Sequence, residues 1–352
     1  MYDSPSYIGA SRLMFSLPEA FDFQSRMTKP LVLILPGLFE WAFSVDPFII
    51  FIGQNLICFV LAPLYMYRIG YIVFEKESLA YLTAISYSLC QSYAIYSLMV
   101  LSDIAGWTFG IIAIFYTVKI FQESNNHSIS VFLLGLFVGF GFTAKESAII
   151  GLLFLGVYTL YSNLSFIRKI TTLSSAFLGF ILPVISAAIY SYHFFDDSFL
   201  HRIIETHEGT KSDIVESRKV IDQIFRTVDF YWIPFVFGII LFFRSVYLKI
   251  KDQYLATFAT TLFLSCFLLP IWPYYLDRIF FMTAPFILIF SIKGISYFKE
   301  SHQYAIVLLF GLIAQIISYL IYAHNISGLL IQGSVVTCII FLGAIYLNRR
   351  NI

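Results

Sequence analysis

Charge is scarce in this sequence and balanced where it occurs. Asp, Glu, Lys and Arg make up 12% of its 352 residues, about half of the ~25% usual in a soluble globular domain. With 22 Lys+Arg against 21 Asp+Glu the formal charge is +1. No basic surface or charged tail is on offer, and nucleic acid is excluded as the main ligand. Cysteine is sparse as well. Cys58, Cys90, Cys266 and Cys338 each lie inside an apolar run, and no CxxC or Cys/His ligand spacing occurs; this argues against a disulfide framework and a structural zinc. The first residues lack the basic stretch and apolar core of a signal peptide, because Asp3 and the Ser4-Pro5 pair stand there. The two halves show no evident repeat.

Apolar residues are what the sequence has in quantity. They make up 59% of the chain, enough for roughly ten spanning helices at ~20 residues each. Stretches free of Asp, Glu, Lys and Arg cover about 48–67, 78–97, 104–118, 129–144, 147–161, 170–190, 230–243, 253–276, 279–292 and 301–348. The last divides near Ala323-His324-Asn325-Ile326-Ser327-Gly328 into about 304–322 and 328–347. The fold class read from this pattern is all-α, a polytopic transmembrane helix bundle of about 11 spans, with juxtamembrane helices on its outer face. Four segments follow: 1–47 on the outer face, a bundle over 48–190, an outer loop over 191–228, and a second bundle over 229–352. No separate soluble domain is expected.

Cations set the orientation. Arg68/Lys76, Lys119, Arg168/Lys169, Arg244/Lys249/Lys251, Lys293/Lys299 and Arg349/Arg350 fall in one set of loops. Short loops of the other set hold only Lys145 and Arg278. The first set is assigned to the cytoplasm. Asp3, Asp103, Lys145-Glu146, the 191–228 loop and Asp277-Arg278 then share the opposite face. Ionisable groups at helix ends distinguish this pattern from a transporter, which more often places them near the bilayer midplane.

Three segments do not span. Ser4 as N-cap and Pro5 at N1 open a short surface helix carrying Tyr7, Ile8, Leu13 and Met14. Residues 30–44 contain Pro36 and Glu40, run only fifteen residues, and read as a juxtamembrane helix. In the 191–228 loop, Val220, Ile221, Ile224, Phe225 and Val228 fall on one face of an interfacial amphipathic helix. Gly135 and Gly139 form a GxxxG packing surface. His193, His201 and His207 match no metal-ligand spacing.

Four local patterns, in order and on one face, resemble the GT-C superfamily of integral-membrane glycosyltransferases. Asp3-Ser4-Pro5-Ser6-Tyr7-Ile8-Gly9-Ala10 is similar to that superfamily's Asp-Glu-x-x-Tyr-x-x-Ala, and Arg26-Met27-Thr28-Lys29-Pro30-Leu31 to its Arg-x-x-Lys-Pro-Pro. Leu101-Ser102-Asp103 resembles the second outer-loop aspartate; Gly139-Phe140-Gly141-Phe142-Thr143-Ala144-Lys145-Glu146 resembles Gly-Leu-Ala-x-x-Thr-Lys-Glu. Asp277-Arg278-Ile279-Phe280-Phe281 with Pro285 resembles the helix start Arg-Tyr-x-x-x-x-x-Pro. The resemblance is strongest to the branch of protein O-mannosyltransferases and aminoarabinose transferases. Ser4 stands where an acid is usual and Leu31 replaces the second proline. The family's first aspartate follows a transmembrane helix, which is not expected within this sequence, where Asp3 is the third residue.

The resemblance implies transfer of a sugar from a polyprenyl-phosphate donor to a lipid, protein or glycan acceptor, with inversion. Such chemistry needs a carboxylate for the acceptor proton and cations for the departing phosphate. Asp3 is expected as the base, with Asp103 positioning a substrate or sharing that role; a plain N-cap is the alternative for each. Lys29, Lys145 and Arg278 are expected at the donor phosphate, supported by Arg26, Glu146 and Asp277. The alternatives are solvated side chains at Lys29 and Arg26, a snorkelling lysine paired with its neighbour at Lys145, and a salt bridge to Asp277 at Arg278. No cofactor is required, and a divalent metal is left open. The expected location is a bacterial inner membrane with the active site on its outer face. The rival readings are a lipid or glycan transporter, and a non-catalytic relative that binds lipid-linked glycan.

Overall fold

A computed structural model describes residues 4–17, 29–97, 99–123, 127–195, 227–248, 252–268, 280–324 and 336–345. Among the described residues, the regular structure is helical throughout, as the composition requires: every backbone N–H and C=O inside a bilayer must be satisfied within the chain. Among the described residues, five helices are long and apolar enough to cross a membrane: Pro47–Phe74, Asp103–Gln122, Phe166–Tyr190, Asp229–Tyr247 and Glu300–Ile317. Six more apolar helices run 10–17 residues. Large apolar side chains lie bare along them, including Ile57, Val60, Phe177, Ile189, Phe243 and Leu312. Bare apolar surface of this extent suits lipid rather than water, and the protein is an integral membrane protein.

The chain divides into two compact units. The first takes Met1–Ala62, Ile95–Val215 and Phe267–Tyr274; the second takes Pro63–Ala94, Glu216–Cys266 and Tyr275–Ile352.

In the first unit, α1 (Ser4–Met14) lies against α2 (Pro30–Phe43). Arg12 Nε donates to both carboxylate oxygens of Glu40 at 3.0 Å, a bifurcated bond, and Arg12 Nη2 lies 2.9 Å from Glu40 Oε1. Gly37 allows the close approach, since a side chain there would collide with the Ser11 carbonyl and the Phe15 ring. Next come the first part of α3 (Pro47–Phe74), α6 (Asp103–Gln122), α7 (His127–Ala144), α8 (Ile149–Tyr161) and α9 (Phe166–Phe195). The glycine surface expected of α7 is present: Gly135 faces the Ala176 carbonyl of α9 and Gly139 that of Phe180, while Gly179 of α9 faces Phe132. Only glycine permits backbones so near, and van der Waals packing then replaces the hydrophobic drive that lipid cannot supply.

The second unit holds the end of α3, then α4 (Glu77–Leu89), most of α5 (Gln91–Ser97) and α10 (Trp232–Tyr247). It continues through α11 (Gln253–Leu268), α12 (Ala284–Ile295), α13 (Glu300–His324) and α14 (Val336–Ile345). Gly238 of α10 and Gly294 of α12 repeat the small-residue device, facing the Phe290 and Pro234 carbonyls. The continuous helix expected over 78–97 is broken at Cys90, whose backbone is extended. Polar partners satisfy the break: Asp229 Oδ2 accepts from the Gln91 N–H at 2.9 Å and Gln315 Nε2 donates to the Leu89 carbonyl at 3.1 Å.

Candidate active site

Four ionisable side chains from distant parts of the sequence meet at one end of the first unit. Asp103 is the first residue of α6 and is 1% exposed. Lys145 and Glu146 follow the end of α7, where a short 3-10 turn (Glu146–Ala148) leads into α8. Lys29 immediately precedes α2 and is 6% exposed. Lys145 Nζ lies 3.4 Å from Asp103 Oδ1 and 3.9 Å from Glu146 Oε2, and Lys29 Nζ lies 3.8 Å from Glu146 Oε1. The charges alternate along this chain and cancel over the four groups. Every separation exceeds the 2.7–2.9 Å of a charge-assisted hydrogen bond, so the lysines neutralise the carboxylates without being fixed to them by the shortest geometry.

The surroundings explain how an apolar sequence tolerates these charges. An uncompensated charge buried here would cost several kcal/mol, and each of the four has an opposite charge within 4 Å. Burial lowers the Lys29 ammonium below the ordinary lysine range, with Lys145 adding to the fall and Glu146 opposing it. For Glu146 burial pushes upward, but Lys29 and Lys145, with a backbone hydrogen bond, outweigh it and hold the carboxyl below its ordinary range. The acidic first turn of α6 also places Asp103 at the positive end of the helix dipole.

Three features hold the cluster in place, and two of them, Gly106 and Asn55, are not singled out by the sequence. Gly106, one turn into α6, has no Cβ where one would stand 2.5 Å from Ser147 Oγ and 2.6 Å from Lys145 Cβ; the Lys145 stem passes over this gap. Tyr7 of α1 shares a buried 2.8 Å hydrogen bond with Ser102 Oγ, and its ring packs edge-on against Phe51. Asn55 of α3 donates to the carbonyls of Met99 and Leu101, fixing the loop before Asp103. Asn55 left a signal, a carboxamide within an apolar span; a glycine at 106 left none.

The sequence-predicted residues fare unequally. Asp103, Lys29, Lys145 and Glu146 come together, whereas Asp3, Arg26, Asp277 and Arg278 lie outside the described residues, as do residues 196–226 of the outer loop. The solvated alternative for Lys29 does not hold, because α2 packs against the bundle and buries it. Ser102 precedes α6 at the N-cap position but makes no side-chain capping bond; its hydroxyl is engaged with Tyr7. Among the described residues, no group of three or more His, Cys, Asp or Glu is arranged to hold a metal ion.

Comparison with known proteins places this geometry in context. Residues 30–190 match the family model of dolichyl-phosphate-mannose-protein mannosyltransferases, a stretch that includes Asp103, Lys145 and Glu146. The fold resembles archaeal oligosaccharyltransferase AglB from Archaeoglobus fulgidus, solved with an inhibitory peptide and a dolichol-phosphate. The TM-score is 0.52 at 13% identity, over 95% of this chain and 51% of that one. A second structure of the A. fulgidus enzyme, tethered to an acceptor peptide, gives 0.48 at 14% identity, over 97% and 49%. The chain thus spans about half the length of these solved proteins. The search of curated proteins returned no match. Family match and fold similarity bear out the resemblance read from the motifs: residues 30–190 are similar to that mannosyltransferase family, and the fold is similar to that of AglB.

Proposed function

We propose that the protein is a membrane glycosyltransferase that moves a sugar from a polyprenyl-phosphate donor to a lipid, protein or glycan acceptor at the non-cytoplasmic face, with inversion. The observation that carries this reading is the buried chain Lys29–Glu146–Lys145–Asp103 at one end of the first unit. It offers carboxylates for the acceptor proton and two ammonium groups for the phosphate in one place. The match of residues 30–190 to a mannosyltransferase family supports the reaction class, and the dolichol-phosphate in the structurally similar AglB supports a lipid-linked donor.

In this reading Asp3 and Asp103 are the carboxylates of the reaction. Lys29, Lys145 and Arg278 take the donor phosphate with support from Arg26, while the carboxylates of Glu146 and Asp277 hold those cations in position. A positive field aimed at the departing phosphate lowers the barrier where charge develops. The membrane is a bacterial inner membrane, and no cofactor is required. The test is consumption of a panel of radiolabelled polyprenyl-phosphate sugars by the purified protein, beside Asp3→Asn and Asp103→Asn. Turnover by wild type and its loss in the variants is expected; equal inertness in all three, with lipid-linked sugar still bound, would replace the enzyme by a binding or transport component.

A further inference from the structure

We propose a lipid site separate from the Asp103 end of the bundle: a groove between α6 and α7, at their other end, binds one phospholipid whose headgroup joins a phosphate to a primary ammonium. Lys119 and Glu123 recognise the headgroup, and apolar side chains along the groove take an acyl chain. The inference rests on the membrane placement of the helices and not on the proposed sugar transfer.

The two helices are antiparallel neighbours. Gly106 of α6 lies beside Lys145, and Gly141 of α7 makes room for Phe109, so α6 and α7 are close at the Asp103 end. Beyond the Phe109–Phe137 ring pair, whose centroids are 4.6 Å apart, a groove of about 360 Å³ opens toward Lys119. That volume lies within the ~300–1,000 Å³ usual for small-molecule sites. Its lining changes character along its length. Ile112 and Phe137 stand at one end, and Lys119, Glu123 and Ser130 at the other. Between them lie Leu134, which is buried, and the exposed Leu133 and Tyr116. The rise from Ile112 to Glu123 is roughly 16 Å at ~1.5 Å per residue, close to the ~15 Å that one leaflet contributes to a ~30 Å hydrocarbon core. A groove that is apolar at mid-membrane, charged at the surface and one leaflet long has the dimensions of a phospholipid and not of a soluble ligand.

Charge selects the headgroup. Lys119 Nζ lies 3.6 Å from Glu123 Oε1, with side chains 45% and 67% exposed. The separation exceeds the 2.7–2.9 Å of a charge-assisted hydrogen bond, and an exposed pair of this kind contributes little, so parting it for a ligand costs little. A phosphate seated on Lys119 brings its negative charge beside Glu123. An anionic headgroup leaves that repulsion unanswered. In phosphoethanolamine the ammonium follows the phosphate on a short linker, meets the Glu123 carboxylate and donates to it, so that one ion pair within the protein becomes two with the lipid. Choline carries the same charge but has no N–H to donate. Ser130 adds a hydroxyl to the same end of the lining.

The test is native mass spectrometry of the purified full chain in detergent, with phosphatidylethanolamine, phosphatidylglycerol and phosphatidylcholine of identical acyl chains competing at equal concentration. Wild type is expected to retain phosphatidylethanolamine roughly fivefold over either competitor, the upper range for one additional exposed ion pair. Glu123→Gln should abolish the preference over phosphatidylglycerol. Lys119→Met should lower retention of all three roughly fivefold, and Leu133→Trp, which fills the groove, should lower all three alike. The proposal is overturned if either competitor binds wild type as well as phosphatidylethanolamine does, or if the preference survives Glu123→Gln. It is overturned equally if Leu133→Trp, at an unchanged Tm, leaves retention as in wild type. Should Leu133→Trp fail to fold, the two charge variants, both on exposed side chains, decide. No outcome depends on sugar consumption, so this site and the proposed transfer fail separately.

Discussion

A methyl group at residue 106 would stand where Lys145 Cβ and Ser147 Oγ already are, so Gly106→Ala displaces the lysine that faces Asp103. Crowding of this kind costs about 1–3 kcal/mol, and the expected signature is a fall in kcat and in phosphate affinity larger than the loss of Tm predicts. The ion pairs also make stability depend on pH, in the same sense for the two coupled groups but in different pH windows. Glu146 has a lowered folded-state value; its stabilising contribution is present above the ordinary glutamate range and is lost as pH falls through the lowered value. Lys29, also lowered, binds its proton more weakly folded than unfolded, so stability gains as pH climbs through its lowered value toward that of a free lysine. Glu146→Gln should therefore flatten the acid limb of a Tm-against-pH profile and cost roughly 3 kcal/mol near neutrality, because both lysines keep their charge with one partner gone. An unchanged acid limb would remove Glu146 from the network. Lys145 and Asp103 were legible as ionisable groups set in apolar sequence; the burial of Lys29 was not, since it comes from α2 packing far from its own neighbours.

Helix existence was largely written in the apolar runs. The expected 129–144 and 170–190 lie within α7 and α9, and α6 begins one residue before the expected 104. The GxxxG of α7 was legible for the same reason: its glycines recur at the spacing that puts both on one face. The break at Cys90 was not legible, because the groups that satisfy it, Asp229 and Gln315, stand 138 and 226 residues from their partners. Local pattern gives α4 and α5 as one helix, and only tertiary contact divides them. The α7–α9 contact supplies a test at this scale. Gly139→Leu drives a side chain into the Phe180 carbonyl and should cost at least 1–3 kcal/mol, read as a lower Tm in detergent. Gly156→Leu of α8 meets nothing within 4 Å and should leave Tm unchanged. Equal behaviour of the two variants would show that the close α7–α9 approach contributes little to stability.

For the whole molecule, the distribution of cations carries the expectation with the widest consequences. Lys119 and Glu123 pair at 3.6 Å at the end of α6 opposite Asp103, with side chains 45% and 67% exposed. Lys145, by contrast, is only 13% exposed at the Asp103 end. Among the described residues, the cations counted by the positive-inside rule are exposed or half-buried, whereas Lys29 and Lys145 are buried more deeply and paired with carboxylates, and that difference explains why the latter do not conflict with an outer location. If the rule holds, Glu123 faces the cytoplasm and the 191–228 loop lies outside. In a background with the four cysteines replaced by alanine, His207→Cys should react with a membrane-impermeant maleimide in intact cells, and Glu123→Cys only after permeabilisation. The reverse pattern would put the Lys29–Glu146–Lys145–Asp103 end of the bundle in the cytoplasm. A donor sugar would then have to be presented on the inner leaflet, and the transfer proposed for the outer face would have to be abandoned even if its chemistry were right.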